Sequence, residues 1–187
     1  MKLVLASASL RRKRLLSALV GRKKVKCMPA GIGERIFRRE GFARACRRLA
    51  LAKANAAAER KGAKGAVVVG ADTIAYRGRE IYRKTGSKNA ARQILRRLSG
   101  KTHYVVTGVA VIFPGRKAVV YSEKAEVRMK RLDGGLLESY LESNEWKGRA
   151  GSYDVSGKGA RLVARIKGEK ETVVGLPLKK LGGLLAD

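Results

Sequence analysis

Four polar residues near the start of the sequence could together bind a phosphate group. Ser7 and Ser9 are followed by Arg11 and Arg12, where a short strand is expected to lead into a helix capped by Ser9. Cations in the first helical turn oppose the helix dipole, at a cost of up to about 1 kcal/mol each, unless an anion lies there too. Free backbone N–H groups, hydroxyls and guanidinium groups are suitable phosphate ligands. The segment therefore predicts a phosphate site, and the alternative is a solvated basic helix start.

Asp72 is the carboxylate whose position most needs a chemical explanation. It follows the apolar run 66–69 and Gly70-Ala71, and small and β-branched residues in such a run predict a strand buried on both faces. Asp72 is thus expected where that strand ends. The other three aspartates have simpler interpretations, as a helix start, a residue of a glycine-rich loop and the last residue: Asp133, Asp154 and Asp187. The alternative for Asp72 is an ordinary turn formed with Thr73.

Lys53 lies on the apolar face of a predicted helix. Four residues follow each other at intervals of four, three and four, so they share a face: Phe42, Cys46, Leu49 and Lys53. A lysine in this position more commonly extends its ammonium group to solvent, but it could also meet a ligand phosphate as a point charge. No sequence pattern around Lys84 or Glu34 predicts a functional role for either residue by itself.

The charge balance of the chain makes anions its natural partners. The sequence has 43 Lys and Arg against 15 Asp and Glu, a formal net charge of +28. The basic residues are spread along the whole chain, only 5% of residues are aromatic, and no helix-turn-helix, zinc-finger or RNP signature is present. The charge therefore does not decide between a nucleic-acid backbone and a small phosphate compound.

Length and composition favour one cytoplasmic domain. The 187 residues, 45% of them hydrophobic, suffice for one core, so we predict a single domain over residues 1–187. No apolar run approaches the roughly 20 residues that span a bilayer, and the N-terminal stretch is too short for a convincing secretory signal. Two cysteines, Cys27 and Cys46, and one histidine, His103, give poor support to structural zinc or to a Ser-His-Asp triad.

The hydrophobic pattern alternates strands and helices and predicts an α/β fold with a mixed sheet. Helices are predicted over 10–19 and 41–61, from Ser87 through Leu98, from Asp133 onward and from Pro177 onward. Strands are predicted over 2–6, 25–28, 66–71, 74–76, 80–82, 102–113, 118–129 and 161–167. The two strands on either side of Gly78 are expected to form a hairpin, and so are the two strands on either side of Pro114-Gly115.

Nine segments of the sequence resemble the Maf family of nucleotide pyrophosphatases, in the family's order and spacing. They are LASASLRR, PAGIGE, RLALAKA, GADT, IYRK, LRRLSGKTH, VVTGVAVI, AGSYDVSGKGA and VVGLP, and the resemblance runs from Leu3 to about Leu185. It implies a single α/β domain in which helices flank a central mixed, elongated β-sheet, as in the inosine triphosphate pyrophosphatases.

The resemblance also implies an activity and a set of site residues. The activity is hydrolysis of nucleoside triphosphates to monophosphate and pyrophosphate with Mg²⁺ or Mn²⁺, usually by a homodimer, and GADT and ASLRR are similar to the branch that prefers dTTP and UTP. Asp72 would accept the proton of the attacking water, and Glu34 with Asp72 would hold the metal. The residues implied to bind substrate are Ser7, Ser9, Arg11, Arg12, Lys53, Thr73, Lys84 and Ser156, of which Arg11, Thr73 and Ser156 correspond to positions that select the base.

The chain departs from the family pattern at several positions. Leu10 and Thr85 replace common prolines, Ser156 a common glutamine and Thr172 a common asparagine, while Gly31 and Gly33 stand where acidic residues are frequent. The shorter Ser156 puts the base preference in question more than the reaction type. The alternative function is a catalytically weak protein of this fold that binds nucleic acid through its basic surface. A structural role is expected for His103.

Overall fold

The computed structural model describes residues 2–21, 24–37 and 39–186. Within these ranges the helices are α1 (Leu10–Val20), α2 (Phe42–Ala58), α3 (Lys88–Leu98), α4 (Gly134–Glu142), α5 (Lys170–Val174) and α6 (Lys179–Ala186). The strands are β1 (Leu3–Leu5), β2 (Val25–Cys27), β3 (Val67–Arg77), β4 (Glu80–Ile81), β5 (Thr102–Ile112), β6 (Val119–Met129) and β7 (Val163–Lys167). Short 3₁₀ turns at Lys61–Ala63, Ala150–Ser152 and Lys158–Leu162 complete the regular structure.

The seven strands form one mixed sheet in the order β2-β1-β3-β5-β6-β7, with β4 paired to β3. β1 runs parallel to both β2 and β3, whereas β3 with β4 and β6 with β7 are antiparallel. The predicted fold class, an α/β fold with helices flanking a mixed sheet, is confirmed. By residue contacts the chain divides into two compact units, so the prediction of one domain over 1–187 stays a prediction.

The first unit comprises Met1–Thr73, Val106–Glu123 and Gly175–Asp187. Its sheet is covered on both faces, which is why β1 is buried at every residue. One core layer packs leucines and valines of the strands against α1 and α6, and includes Leu5, Leu16 and Leu181. The other packs Val4 and Val68 against the alanines of α2. Small residues on α2 allow the helix to lie close to the sheet.

The second unit comprises Ile74–Val105 and Lys124–Val174. Here α3 and α4 lie side by side, and the Arg92 guanidinium donates to both carboxylate oxygens of Glu138, at 2.7 and 2.8 Å. Asp133 caps α4 by accepting from the Leu136 N–H at 2.8 Å, as its position predicted. The largest fully buried side chain is Trp146, whose ring N–H donates to the Leu141 carbonyl.

Two expectations from the sequence were wrong. The strand that holds Asp72 does not end there, since β3 continues without interruption to Arg77. The pairing of β3 with its parallel neighbour β1 ends earlier, at the register Leu5↔Val69. Asp72 therefore lies just past the end of this pairing, while its own strand continues. Helix α5 was missed, because its five residues are too few to display a helical period.

Candidate functional site

Lys53 joins two carboxylates in the first unit. Its Nζ donates to Oδ1 of Asp72 and to Oε1 of Glu34, at 2.5 Å each. The Lys53 and Asp72 side chains are only 10% and 9% exposed, whereas that of Glu34 is 50% exposed. The ammonium group therefore turns inward to Asp72, and the interpretation of Lys53 as a lysine that extends to solvent is excluded. Three predicted site residues from a loop, a helix and a strand meet at this point.

A close approach of helix to strand places Lys53 against Asp72. A Cβ atom built on Gly70 would lie 2.2 Å from the Ala50 carbonyl oxygen, so only glycine allows α2 this near to β3. Lys53 is one helical turn after Ala50, and Asp72 is two residues after Gly70 on the same face of the strand. The small residues thus bring the two side chains together.

Arg12 forms a second cluster in the first unit, and it is buried. Its Nε donates to the Gly175 carbonyl at 2.8 Å, one Nη donates to Thr73 Oγ1 at 2.9 Å, and the other lies 3.4 Å from Ser7 Oγ. Ser9 Oγ accepts from the Arg12 backbone N–H and caps α1, as predicted. Three segments that are far apart in sequence, around Arg12, Thr73 and Gly175, are therefore joined by one guanidinium group.

The charges of the two clusters influence each other. Burial lowers the pKa of the Arg12 guanidinium, and the negative charges of Asp72 and Glu34 oppose that shift. Asp72 and Thr73 are adjacent on β3, so their side chains leave opposite faces of the strand. Arg12 and Lys53 thereby approach the same short stretch of β3 from its two sides.

The other predicted site residues are less buried. Arg11 is half-buried beside Arg12 on α1. Lys84 and Ser156 belong to the second unit, and both are exposed. Lys84 comes shortly after β4, and Ser156 comes two residues after Asp154. The Ser156 backbone N–H donates to Asp154 Oδ1 at 3.0 Å, which fixes the turn that carries Ser156. Their roles in binding substrate stay predictions.

Two residues of the Arg12 cluster carried no predicted role. The hydroxyl of Thr107, which is fully buried, lies 2.8 Å from that of Thr73. Gly175 has φ of +114°, and a Cβ there would lie 3.1 Å from Thr73 Oγ1 and 3.2 Å from Arg12 Nε. Both residues belong to segments that resemble the Maf family, VVTGVAVI and VVGLP, and this was the only signal that could have found them.

His103 belongs to a different cluster, in the second unit. It is fully buried, and its Nε2 lies 2.8 Å from the hydroxyl of Tyr153. Burial lowers the pKa of His103 to about 4, so the imidazole is neutral near pH 7. This packing agrees with the structural role expected from the sequence.

Comparison with known proteins places the chain among nucleotide pyrophosphatases by sequence. A family model described as Maf-like protein matches residues 2–187. The dTTP/UTP pyrophosphatase of Brucella abortus (strain 2308) is 40% identical over 190 aligned positions, which cover 100% of this chain and 91% of the relative. The dTTP/UTP pyrophosphatase of Agrobacterium fabrum is 36% identical over 189 positions, which cover 99% and 91%.

A solved structure shares the fold. The HAM1 protein from Coxiella burnetii superposes with a TM-score of 0.53 over 100% of this chain and 98% of its own, at 15% sequence identity. At this level of identity the likeness shows the fold alone, and it agrees with the α/β architecture expected from the sequence.

Proposed function

This chain belongs to the Maf family, and on that premise we propose that it is a nucleoside triphosphate pyrophosphatase that converts dTTP and UTP to the monophosphate and pyrophosphate. Relatives at about 40% identity over the full chain carry the name dTTP/UTP pyrophosphatase. The observation that carries the proposal is the contact of Lys53 with both Asp72 and Glu34. It supplies a buried carboxylate, a second carboxylate that reaches solvent, and a cation between them.

In this proposal Asp72 accepts the proton of the water that attacks the triphosphate. Lys53 binds only one of its oxygens, Oδ1, and holds the carboxylate in a fixed orientation. A carboxylate held in this way can accept a proton from a water molecule placed beside it. Because phosphoryl transfer depends mainly on positioning and on neutralising charge, a fixed base beside cations is a suitable arrangement.

The residues present fit a divalent metal ion, which the family resemblance implies. The described residues contain no group of three or more His, Cys, Asp or Glu that would enclose an ion by themselves. Mg²⁺, however, is commonly bound through one or two carboxylates together with substrate phosphates and water. Glu34 and Asp72 would hold the ion through their carboxylate oxygens. When bound, the metal would neutralise charge on the phosphates.

The remaining predicted residues would bind the substrate. Arg11, Arg12 and the serines near them would bind phosphate, and Lys53 and Lys84 would hold the triphosphate. Arg11, Thr73 and Ser156 would contribute to selection of the base. Since Arg12 already donates to Thr73 and to Gly175, it would also hold the base-selecting threonine in place. We further propose that the protein acts in the cytoplasm and that it forms a homodimer. Light scattering on the purified protein tests whether it is a dimer.

Asp72→Asn is the variant that tests the proposed activity. With Mg²⁺ or Mn²⁺ and a panel of nucleoside triphosphates, the unmodified protein should release pyrophosphate fastest from dTTP and UTP. The variant should lose about two or more orders of magnitude in kcat, because an amide cannot accept the proton. The matched control is Asp133→Asn, since asparagine caps a helix as well as aspartate does and Asp133 is exposed.

The control should retain its activity, and both variants should still be folded, as shown by cooperative unfolding in urea. Absence of pyrophosphate release from every nucleotide would reject the enzyme. Full activity of Asp72→Asn would reassign the base to another residue, and release from purines alone would reject the substrate preference. Ser156→Gln, tested on the same panel, measures how far this position sets that preference.

A further inference from the structure

One face of the sheet in the second unit is polar and reaches solvent. On β5 and β6 the residues that point to the core are all buried: His103, Val105, Ala125, Val127 and Met129. The residues that alternate with them are half-buried or exposed, and they include Thr102, Tyr104, Lys124, Glu126 and Arg128. This alternation is typical of a sheet with one packed face and one solvated face. We call the solvated side, with Tyr76 of β3 and Arg165 and Lys167 of β7, the outer sheet face.

Two tyrosines lie side by side on the outer sheet face. The rings of Tyr76 and Tyr104 have centroids 5.8 Å apart and an interplanar angle of 32°, and Lys124 Nζ lies 5.2 Å from the Tyr104 ring. The other tyrosines of the chain are buried: Tyr82, Tyr121, Tyr140 and Tyr153. The two tyrosine rings that reach solvent are therefore neighbours, with a cation beside them.

The same face carries an unfavourable pair of like charges. Arg128 and Arg165 are directly opposite in the register of β6 and β7, and both are exposed. Like charges in this arrangement destabilise a sheet. In the part of the chain that the structure describes, neither arginine forms a salt bridge; the next pair along, Glu126 and Lys167, does, at 3.7 Å. An anion placed between the two guanidinium groups would remove the repulsion.

We propose that the outer sheet face binds single-stranded nucleic acid, a property beyond nucleotide hydrolysis. Phosphates would lie between Arg128 and Arg165, and bases would stack on Tyr76 and Tyr104. Stacking on sheet aromatics combined with a basic row for the backbone is a common way to bind single strands. Since the contacts are to rings and phosphates, binding has little sequence preference.

The charge on the face argues against other occupants. A second copy of this chain would set arginines against arginines. An anionic membrane would match the charge, but large exposed apolar side chains that could insert into it are absent from the face. Among the described residues, the large hydrophobic side chains that are exposed are Leu10 and Phe37, and both belong to the first unit.

The test uses the full-length protein and a fluorescent oligoadenylate strand of roughly 12 nucleotides, with anisotropy as the readout. Adenine is chosen because the proposed hydrolytic site prefers thymine and uracil. Arg128→Gln/Arg165→Gln should weaken binding about tenfold or more at low salt. It should also reduce the slope of log K against log salt by about 1.4, the value for two lost single-strand phosphate contacts. Tyr104→Leu, which keeps the charge, should weaken binding roughly tenfold.

The matched control is Arg60→Gln/Arg116→Gln, which removes two exposed arginines from the first unit. The affinity of this control for the strand should stay within about twofold of that of the unmodified protein, because only the overall charge changes. Hydrolysis of dTTP by the Arg128→Gln/Arg165→Gln variant should equal that of the unmodified protein. A failed hydrolysis assay with intact strand binding would thus reject the proposed function and leave this proposal in place.

Several outcomes would overturn the proposal. They are undetectable binding, an equal loss in the two arginine pairs, displacement of the strand by excess dTTP, and unchanged binding in both Arg128→Gln/Arg165→Gln and Tyr104→Leu. Conversion of a dimer to monomers by the arginine substitutions, measured by light scattering, would show instead that the face joins two copies of the chain. Binding of the protein to anionic lipid vesicles but not to the strand would assign the face to membranes.

Discussion

At the residue scale, Arg12 shows how a buried charge can organise a site. Its guanidinium donates to the Gly175 carbonyl and to Thr73, and it lies near Ser7, so it is held from several directions. A planar group with several N–H donors can satisfy acceptors that point from different sides, whereas a single ammonium group cannot. Arginine is thus needed here for its shape as well as its charge.

Arg12→Lys should destabilise the protein by about 1–3 kcal/mol, because buried acceptors at Thr73 and Gly175 would lose their donors. Urea unfolding measures the loss. The control is Arg14→Lys on the same helix, where the side chain is exposed and the change should be near zero. Equal stability of the two variants would contradict the positioning role of Arg12.

His103 should make stability depend on pH. In the unfolded chain it binds a proton near pH 6.5, whereas in the folded protein burial lowers its pKa to about 4. The unfolded state therefore binds more protons between these values, and stability falls as the pH drops from about 6.5 toward 4. The difference corresponds to about 3 kcal/mol in total.

His103→Gln should flatten this dependence, since an amide does not titrate. Free energies of unfolding measured at several pH values between about 4.5 and 7 would give the two slopes. As His103 is the only histidine of the chain, no other imidazole contributes. Parallel curves for the two proteins would mean that the pKa of His103 is the same in the folded and unfolded states, and would contradict the shift.

At the scale of secondary-structure elements, glycines on two strands set the distance of α2 from the sheet. A Cβ on Gly70 would lie 2.2 Å from the Ala50 carbonyl oxygen, and one on Gly108 would lie 2.3 Å from the Cys46 carbonyl carbon. Both neighbours are helix backbone, which cannot move without displacing α2. These two glycines thus determine how closely α2, the helix that carries Lys53, can approach the sheet.

Gly70→Ala should destabilise the protein by about 1–3 kcal/mol through overpacking, and it should also reduce kcat by moving Lys53 away from Asp72. Gly183→Ala is a control with the opposite sign. Gly183 lies inside α6 with no atom within 4 Å of a built Cβ, so alanine there should stabilise by up to about 1 kcal/mol. Urea unfolding checks both signs, and a neutral Gly70→Ala would show that α2 can shift freely.

At the scale of the whole molecule, the formal charge of +28 is far larger than a phosphate site requires. Like charges repel one another and oppose the compact state, so screening by salt should favour folding. We expect the melting temperature to rise by a few degrees as sodium chloride increases from about 0.05 to 0.5 M. Sodium phosphate at matched ionic strength should raise it further, because phosphate can bind at specific cations. A melting temperature that falls with either salt would contradict this account.

No helix within the described ranges is long and apolar enough to cross a membrane. The outer sheet face offers one local explanation for part of the positive charge, since Arg128, Arg165 and Lys124 lie there with a single glutamate.

The sequence by itself determined most elements, and it predicted which residues are candidates for the site. Several features depend on neighbouring residues, so they can be read along the chain. They are the strands β5 and β6, the caps Ser9, Ser87 and Asp133, and the apolar stripe of α2. The candidate site residues Asp72, Glu34 and Lys53 came from segments that resemble one family, and the structure brings these three together.

Only the tertiary structure decided how distant residues meet. It showed that Lys53 turns inward, that Arg12 holds Thr73 and Gly175, and that Tyr76 and Tyr104 become neighbours on a basic face. It also showed that the strand of Asp72 continues to Arg77, although its local residues suggested an end. The physical reason is the same in each case. Strand register and the distance of a helix from a sheet depend on packing between segments that are far apart in sequence, and local patterns do not record that packing.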